Sequence, residues 1–348
     1  MDYKMEELEI KEELMIYIAN HLPFIVKGSF LTRQYHKDPL ARLKSGGDID
    51  LIYTGSVCTI PKPDTYDYDT YHTYIREVEK LLKPELIDIL YKLEEIMTRK
   101  LELTERPEFI LDLETLGYDR LFKDSVEVYF SLVNYAADGD FVTVGFDTGI
   151  GKYDVEIDIA IDMPVHFQPE TILYRTLAGK EVMLKNTTPL IYQTAWKIHQ
   201  IIVRPRMKDL DDVIRFLPHI DFEDRHIFEL FFDEIISECE LTNDKIYKTL
   251  IDTLKKLFTK EEAMQIFQIG TIVDNWGRVP YYSDLYGGIP CQIGVMVNLV
   301  PEYHAEELEQ EVCSCFLKAL HSRIDCDEAV KYIEKKMSFE RISGGVSS

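Results

Sequence analysis

The sequence predicts an α+β chain in two parts, an acid-bearing sheet domain over residues 1–180 followed by a mainly helical domain over 181–348. Three observations carry this. "SVEVYFSLVNY" (125–135), "FVTVGFDTG" (141–149) and "KYDVEIDIAIDMP" (152–164) alternate apolar and polar residues, separated by the turn chemistry of "AADGD" and "TGIG". From Thr188-Pro189 onward the pattern turns helical for most of the remaining length. The 348 residues also suit about two domains of ~150 residues each.

Taken in order, Met5, Leu8, Ile10, Leu14, Ile16 and Ile18 recur at helical spacing among charges and predict an amphipathic helix over 5–20. "LPFIVKGSFLT" is a short apolar piece ending in a Gly-Ser turn, with a second helix expected from about residue 29 into the thirties. "DIDLIYTG" (48–55) reads as a strand, and "TIPKPDTYDYDTYHTY" (59–74) as a loop whose aromatics either form a surface insertion or stack on a base. Helix resumes over 74–100 with a break expected at Pro84. "YYSDLYGGIPCQIGVMVNLVP" (281–301) fits no pattern.

The net charge of −23 excludes a protein that grips extended DNA through its whole surface, so any nucleic-acid substrate must meet a local basic patch. No apolar run approaches the ~20 residues of a bilayer span, and the acidic opening "MDYKMEELEIKEEL" lacks the order of a signal peptide; the chain reads as cytoplasmic, with no membrane partner. Six scattered cysteines without a C-x-x-C pair argue against zinc and for reduced, structural thiols.

The chemistry-bearing residues fall in three clusters. In "KSGGDIDLIY", Asp48 and Asp50 are two apart on a strand and project to one face. Alone this is either a solvated acidic turn or a pair of carboxylates aimed at a hard divalent cation, which relieves their repulsion. Asp154, Glu156 and Asp158 likewise share one strand face, and two acids plus one from a neighbouring strand is what two-metal nucleotidyl transfer requires. Upstream, the Gly28-Ser29 turn opens a helix whose backbone N–H groups can hold a phosphate. In "LIYQTAWKIHQIIVRPRMKDLDDVIRFL", Pro189 marks a helix start, and Lys197 and Arg204 lie two turns apart on one expected face. Asp209 and Asp212 follow, three apart on a second short helix. Lys197, set among Ala195, Ile198, Ile201 and Ile202, needs a partner: a nucleotide phosphate, or Asp209 or Asp212.

These clusters, in this order, resemble the AbiEii/AbiGii type nucleotidyltransferase toxins of the DNA polymerase β-like superfamily. The matching residues are Lys27-Gly28-Ser29-Phe30-Leu31, Arg42-Leu43-Lys44-Ser45, Asp48-Ile49-Asp50-Leu51, and then Lys197, Arg204, Lys208, Asp209 and Asp212, over about residues 20–217. Lys27 stands where the family carries a glycine, and Gln200 where it carries an alanine. The resemblance implies a polymerase-β-like domain with a mixed sheet flanked by helices, and a helical C-terminal domain completing the nucleotide and acceptor site. It implies a nucleotidyltransferase moving an NMP from an NTP onto an acceptor, with Mg²⁺ (or Mn²⁺) on Asp48, Asp50 and a third carboxylate, Glu156 or, preferred, Asp158. Catalytic roles fall to these with Lys197 and Asp209, and nucleotide binding to Gly28, Ser29, Lys197 and Arg204. The acceptor is expected to be a tRNA 3′ end, met by a basic patch such as Arg204, Arg206 and Lys208, or a protein hydroxyl. The biological setting implied is the toxin of a bacterial toxin–antitoxin, abortive-infection antiviral defence pair, with a cognate antitoxin as partner. Two rivals stand beside it: a small-molecule, antibiotic-modifying nucleotidyltransferase, which the acidic charge favours, and a non-catalytic nucleotide-binding regulator.

Overall fold

The computed structural model describes residues 3–36, 47–55, 68–100, 127–135, 139–147, 154–161, 163, 165–242, 246–267 and 305–343. The "RLKS" stretch, Cys58, Cys291 and the unassigned 281–301 piece lie outside them. The chain is α+β and divides into two compact units, the first running to Thr188 and the second from Pro189, with Tyr35 and His36 grouped in the second.

In the first unit, α1 (Tyr3–His21) leads to β1 (Phe24–Lys27) and the one-turn helix α2 (Ser29–Thr32). Then come β2 (Ile49–Tyr53), the long α3 (Tyr68–Lys100), β3 (Glu127–Tyr135), β4 (Gly139–Asp147) and β5 (Asp154–Ile161). The hairpin β6 (Glu170–Arg175) and β7 (Glu181–Thr187) closes the unit. Among the described residues the strands form one seven-stranded mixed sheet in the order β3-β4-β5-β2-β1-β7-β6. The central pair β2–β5 is parallel, as is β1–β7, and the other pairings are antiparallel. Helix α1 packs on β1, β5 and β7 and against α3. Its Leu8, Ile10, Leu14 and Ile18 are buried, as are Phe24, Val26, Leu51 and Ile159 of the sheet.

Two sequence expectations differ from what forms. Helix α3 begins at Tyr68, inside the expected 59–74 loop, and runs through Pro84 without a break. Val78, Leu82, Leu86, Ile89, Leu93 and Ile96 are all buried along one stripe, so packing holds both halves in one helix. Pro84 and Lys80 are exposed, so water can take the Lys80 carbonyl that the proline leaves without a donor. The β6–β7 hairpin was not expected at all. Its signal was "TILYR" and "EVMLKN" around a glycine turn: Gly179 has φ 77°, and its N–H donates to Thr176 O at 2.8 Å.

A buried polar knot ties α1, the residue after α2 and β6 together. Arg33 Nη2 donates to Glu12 Oε1 (2.6 Å), Arg33 Nε donates to the Tyr174 hydroxyl (2.9 Å), and that hydroxyl donates to Glu12 Oε1 (2.8 Å). The Leu177 N–H donates to Glu12 Oε2 at 2.8 Å, so the carboxylate is fully engaged. Burial and the neighbouring Glu12 push the Tyr174 phenol far above its ordinary value, so it remains a donor throughout the accessible pH range. Tyr174→Phe removes one acceptor from a buried guanidinium and one donor from a buried carboxylate; a loss of about 1–2 kcal/mol in chemical denaturation is expected.

In the second unit, α4 (Leu190–Val203), α5 (Met207–Phe216), α6 (Arg225–Thr242), α7 (Tyr247–Leu257), α8 (Ala305–Arg323) and α9 (Cys326–Ser343) share one apolar core. Phe228, Phe231, Phe232, Phe258 and Tyr332 form its aromatic centre, with edge-to-face contacts such as Phe222–Phe231 at 5.1 Å. Cys239 and Cys313 sit inside this core, and burial pushes both thiols up to about 12, the behaviour of packing residues rather than nucleophiles. No described helix is long and apolar enough to cross a membrane.

Candidate functional site

The carboxylates come together by strand register. In the parallel pair β2–β5, Asp50 stands opposite Asp158, flanked by Ile49 opposite Ile157 and Leu51 opposite Ile159. Register neighbours in a sheet point to the same side, and Asp48 directly precedes β2. The apolar neighbours Ile49, Leu51, Ile157 and Ile159 are fully buried on the other side, while Asp48, Asp50 and Asp158 are half-buried. The alternation that anchors the strands therefore forces the acids into one row. Glu156, two residues before Asp158 on β5, lies further from Asp50 in this register.

Gly28 borders this row. The antiparallel pairing of β1 with β2 sets Lys27 opposite Asp50, and Gly28 follows with φ 77° and ψ −158°. That backbone region is essentially reserved for glycine. A Cβ added there would overlap the Asp50 carboxylate and lie 2.8 Å from Asp50 Cβ. Glycine is thus required twice, by dihedral angle and by the carboxylate that fills the space. Ser29 is buried at the first position of α2, which is a single turn closed by Thr32 N–H and Oγ1 on the Gly28 carbonyl at 3.1 and 3.0 Å.

The oxygen donor set of Asp48, Asp50 and Asp158 fits a hard divalent cation chemically. Their side chains do not stand converged on one point: among the described residues no group of three or more His, Cys, Asp or Glu side chains is arranged to hold a metal ion.

The second cluster lies within the helical unit. Helix α4 ends at Val203 because Pro205 forces the preceding residue into extended backbone, and Arg204 duly has φ −156° and ψ 94°. Arg204 is therefore off the helix and exposed, not two turns along the face that carries Lys197. Arg206, the residue before α5, takes up the inward role. Asp209 is fully buried: its Oδ1 accepts from Lys197 Nζ (2.6 Å) and its Oδ2 from Arg206 Nε (2.5 Å). Arg206 Nη2 also reaches Gln200 Oε1 at 3.0 Å, and Lys197 Nζ lies 3.4 Å from Asp212 Oδ2. Of the partners open to Lys197 in the sequence, the structure shows the two aspartates.

Burial is the largest single influence on Asp209 and would push its carboxyl up, but Lys197 and Arg206 together outweigh it and hold the group below the ordinary carboxylate range. The sign follows. A carboxyl whose folded value is lowered contributes stability above its unfolded value, about pH 4, and that contribution fades as pH falls through the folded value. The melting-temperature gap between the wild type and Asp209→Asn is expected to be constant from pH 5 to 8 and to shrink below about pH 4.

Sequence reasoning did not single out Asp211 or His36. Asp211 is buried with Arg215 Nε at 3.2 Å, and His36, also buried, lies between Asp211 and Asp212. The sequence signal for Asp211 was an acid inside a run otherwise destined for a core; His36 had none. Comparison with protein-family models, curated proteins and solved structures finds no match to the chain.

Proposed function

We propose that the chain is a divalent-metal-dependent nucleotidyltransferase with a polymerase-β-like sheet domain, of the AbiEii/AbiGii toxin type. The observation that carries the proposal is the register of β2 on β5, which puts Asp50 beside Asp158, with Asp48 directly before β2 and Gly28 cleared of a Cβ next to Asp50. A solvated acidic turn needs no such clearance.

In this reading the row of carboxylates receives the triphosphate end of an NTP with its cation, which supplies Lewis acidity to the phosphate oxygens. Asp48 and Asp50 orient the α-phosphate. Asp158 completes the ligand set or takes the proton from the acceptor hydroxyl as the acceptor oxygen bonds to the α-phosphorus and pyrophosphate leaves. Lys197 is held by Asp209 and Asp212 within the helical unit, and the resemblance gives it a nucleotide-binding role. A tRNA 3′ end is the acceptor favoured by the resemblance, as part of a toxin–antitoxin defence pair. The net charge of −23 favours a second reading, a cationic small molecule as acceptor.

Incubating the protein with each labelled NTP, Mg²⁺, and either total tRNA or cell lysate tests this. Label in RNA supports the tRNA reading, and label in a small cationic product supports the second. No label in any fraction, with Asp48→Ala matching the wild type in a growth assay, sinks the enzyme proposal.

A further inference from the structure

Strand β1 adds to the acid row a member that is not an acid. In the antiparallel pair β1–β2, Lys27 stands opposite Asp50 and Ile25 opposite Ile52. In the parallel pair β2–β5, Asp50 stands opposite Asp158 and Ile52 opposite Ala160. Register partners share a side of the sheet, so two rows cross three adjacent strands on one face. Ile25, Ile52 and Ala160 form the first row, each no more than 2% exposed. Lys27, Asp50 and Asp158 form the second, and all of them are half-buried. The face is dry across one row and polar across the next, and the polar row sets one ammonium beside two carboxylates.

The core does not call for a charge at this place. Phe24, Ile25 and Val26 of β1 are buried, and Lys27 comes last, where the strand gives way to the Gly28 turn. The Asp50 carboxylate lies over that same end, filling the space that a Cβ on Gly28 would need. Directly opposed residues have Cβ atoms about 5 Å apart. A carboxylate ends one carbon beyond its Cβ, whereas an ammonium rides a flexible four-carbon stem. A group resting on the carboxylates is therefore within reach of Lys27 from the β1 side.

Resting on the nucleotidyltransferase reading, we infer that Lys27 is a substrate-binding residue: its ammonium takes an oxygen of the terminal phosphates of the NTP. The charges of the row give the reason. Asp50 and Asp158 together neutralise one divalent cation and leave no surplus to attract a triphosphate; the ammonium supplies it. The bland alternative is that Lys27 serves only to neutralise Asp50. It would then compete with the cation, and its removal would cost the nucleotide nothing.

Lys27→Met keeps most of the stem and removes the charge. Binding is read without turnover, by calorimetry with the α,β-methylene analogues of the four NTPs in Mn²⁺, and by electron paramagnetic resonance for Mn²⁺ alone. For whichever analogue the wild type binds, Lys27→Met is expected to weaken binding at least about tenfold, the loss of one charge-assisted hydrogen bond. Its Kd for Mn²⁺ alone is expected to equal the wild type's or fall below it. A smaller loss for the analogue overturns the inference. So does weaker Mn²⁺ uptake by the variant, because Lys27 then shapes the carboxylates and reaches the nucleotide only through them. Should Lys27→Met fail to fold, Lys27→Gln carries the same two expectations and the same two refutations. A wild type that takes up no Mn²⁺, or binds none of the four analogues, sinks the nucleotidyltransferase reading and this inference with it. A wild type that binds both, beside a variant that binds both equally, sinks the inference alone.

Discussion

Gly28→Ala is expected to unfold or inactivate the protein where Gly179→Ala costs backbone strain alone, although both glycines have φ 77°. The comparison isolates the close approach from the dihedral angle. At Gly179 nothing lies within 4 Å of an added Cβ, so alanine meets only backbone strain, about 1–2 kcal/mol. At Gly28 the backbone conformation costs about 1–3 kcal/mol, and the overlap with the Asp50 carboxylate adds a further ~1–3 kcal/mol. Rotating Asp50 out of the acid row relieves the carboxylate overlap but not the 2.8 Å approach to its Cβ. Chemical denaturation should therefore show Gly28→Ala several kcal/mol below the wild type, and any folded fraction should lack transferase activity. Equal stability losses at the two glycines would remove the close approach from the account.

Asp209→Ala is expected to be the most damaging change in the helical unit. It leaves Lys197 and Arg206 facing each other with no carboxylate between them, at a position that is itself fully buried. Removing one partner of a buried pair costs about 3–5 kcal/mol; here the cations are partly exposed, which places the loss near about 3 kcal/mol. Urea denaturation of Asp209→Ala beside the exposed control Arg204→Ala measures it, and the control is expected to fall within about 0.5 kcal/mol of the wild type.

Local pattern made the acid row legible. Asp48 and Asp50 alternate with Ile49 and Leu51, and Asp158 alternates with Ile157 and Ile159, so the faces could be read from each strand alone. What no single strand shows is that β2 lies beside β5 in the register that pairs Asp50 with Asp158. That alignment is set by chain segments about a hundred residues apart. The helices around Lys197 and Asp209 were also readable, but the position of Arg204 was misjudged because the effect of Pro205 on the residue before it outweighs helical periodicity. At Pro84 the reverse happened: a buried stripe on both sides outweighed the proline. The β6–β7 hairpin escaped notice because its exposed face carries Leu173 and Met183, which blurs the alternation. His36 was invisible for a simpler reason, since nothing near it in sequence explains why it is buried among acids.

The central claim, that Asp48, Asp50 and Asp158 form one set for nucleotidyl transfer, is tested most directly by comparing α-labelled with γ-labelled NTP in the wild type and in Asp50→Asn. Bond formation at the α-phosphorus leaves α-label on the acceptor and carries γ-label away in pyrophosphate. The account predicts stable incorporation of α-label only, and its loss by at least a hundredfold in Asp50→Asn. Incorporation of γ-label, or equal α-label incorporation by the variant, would contradict it.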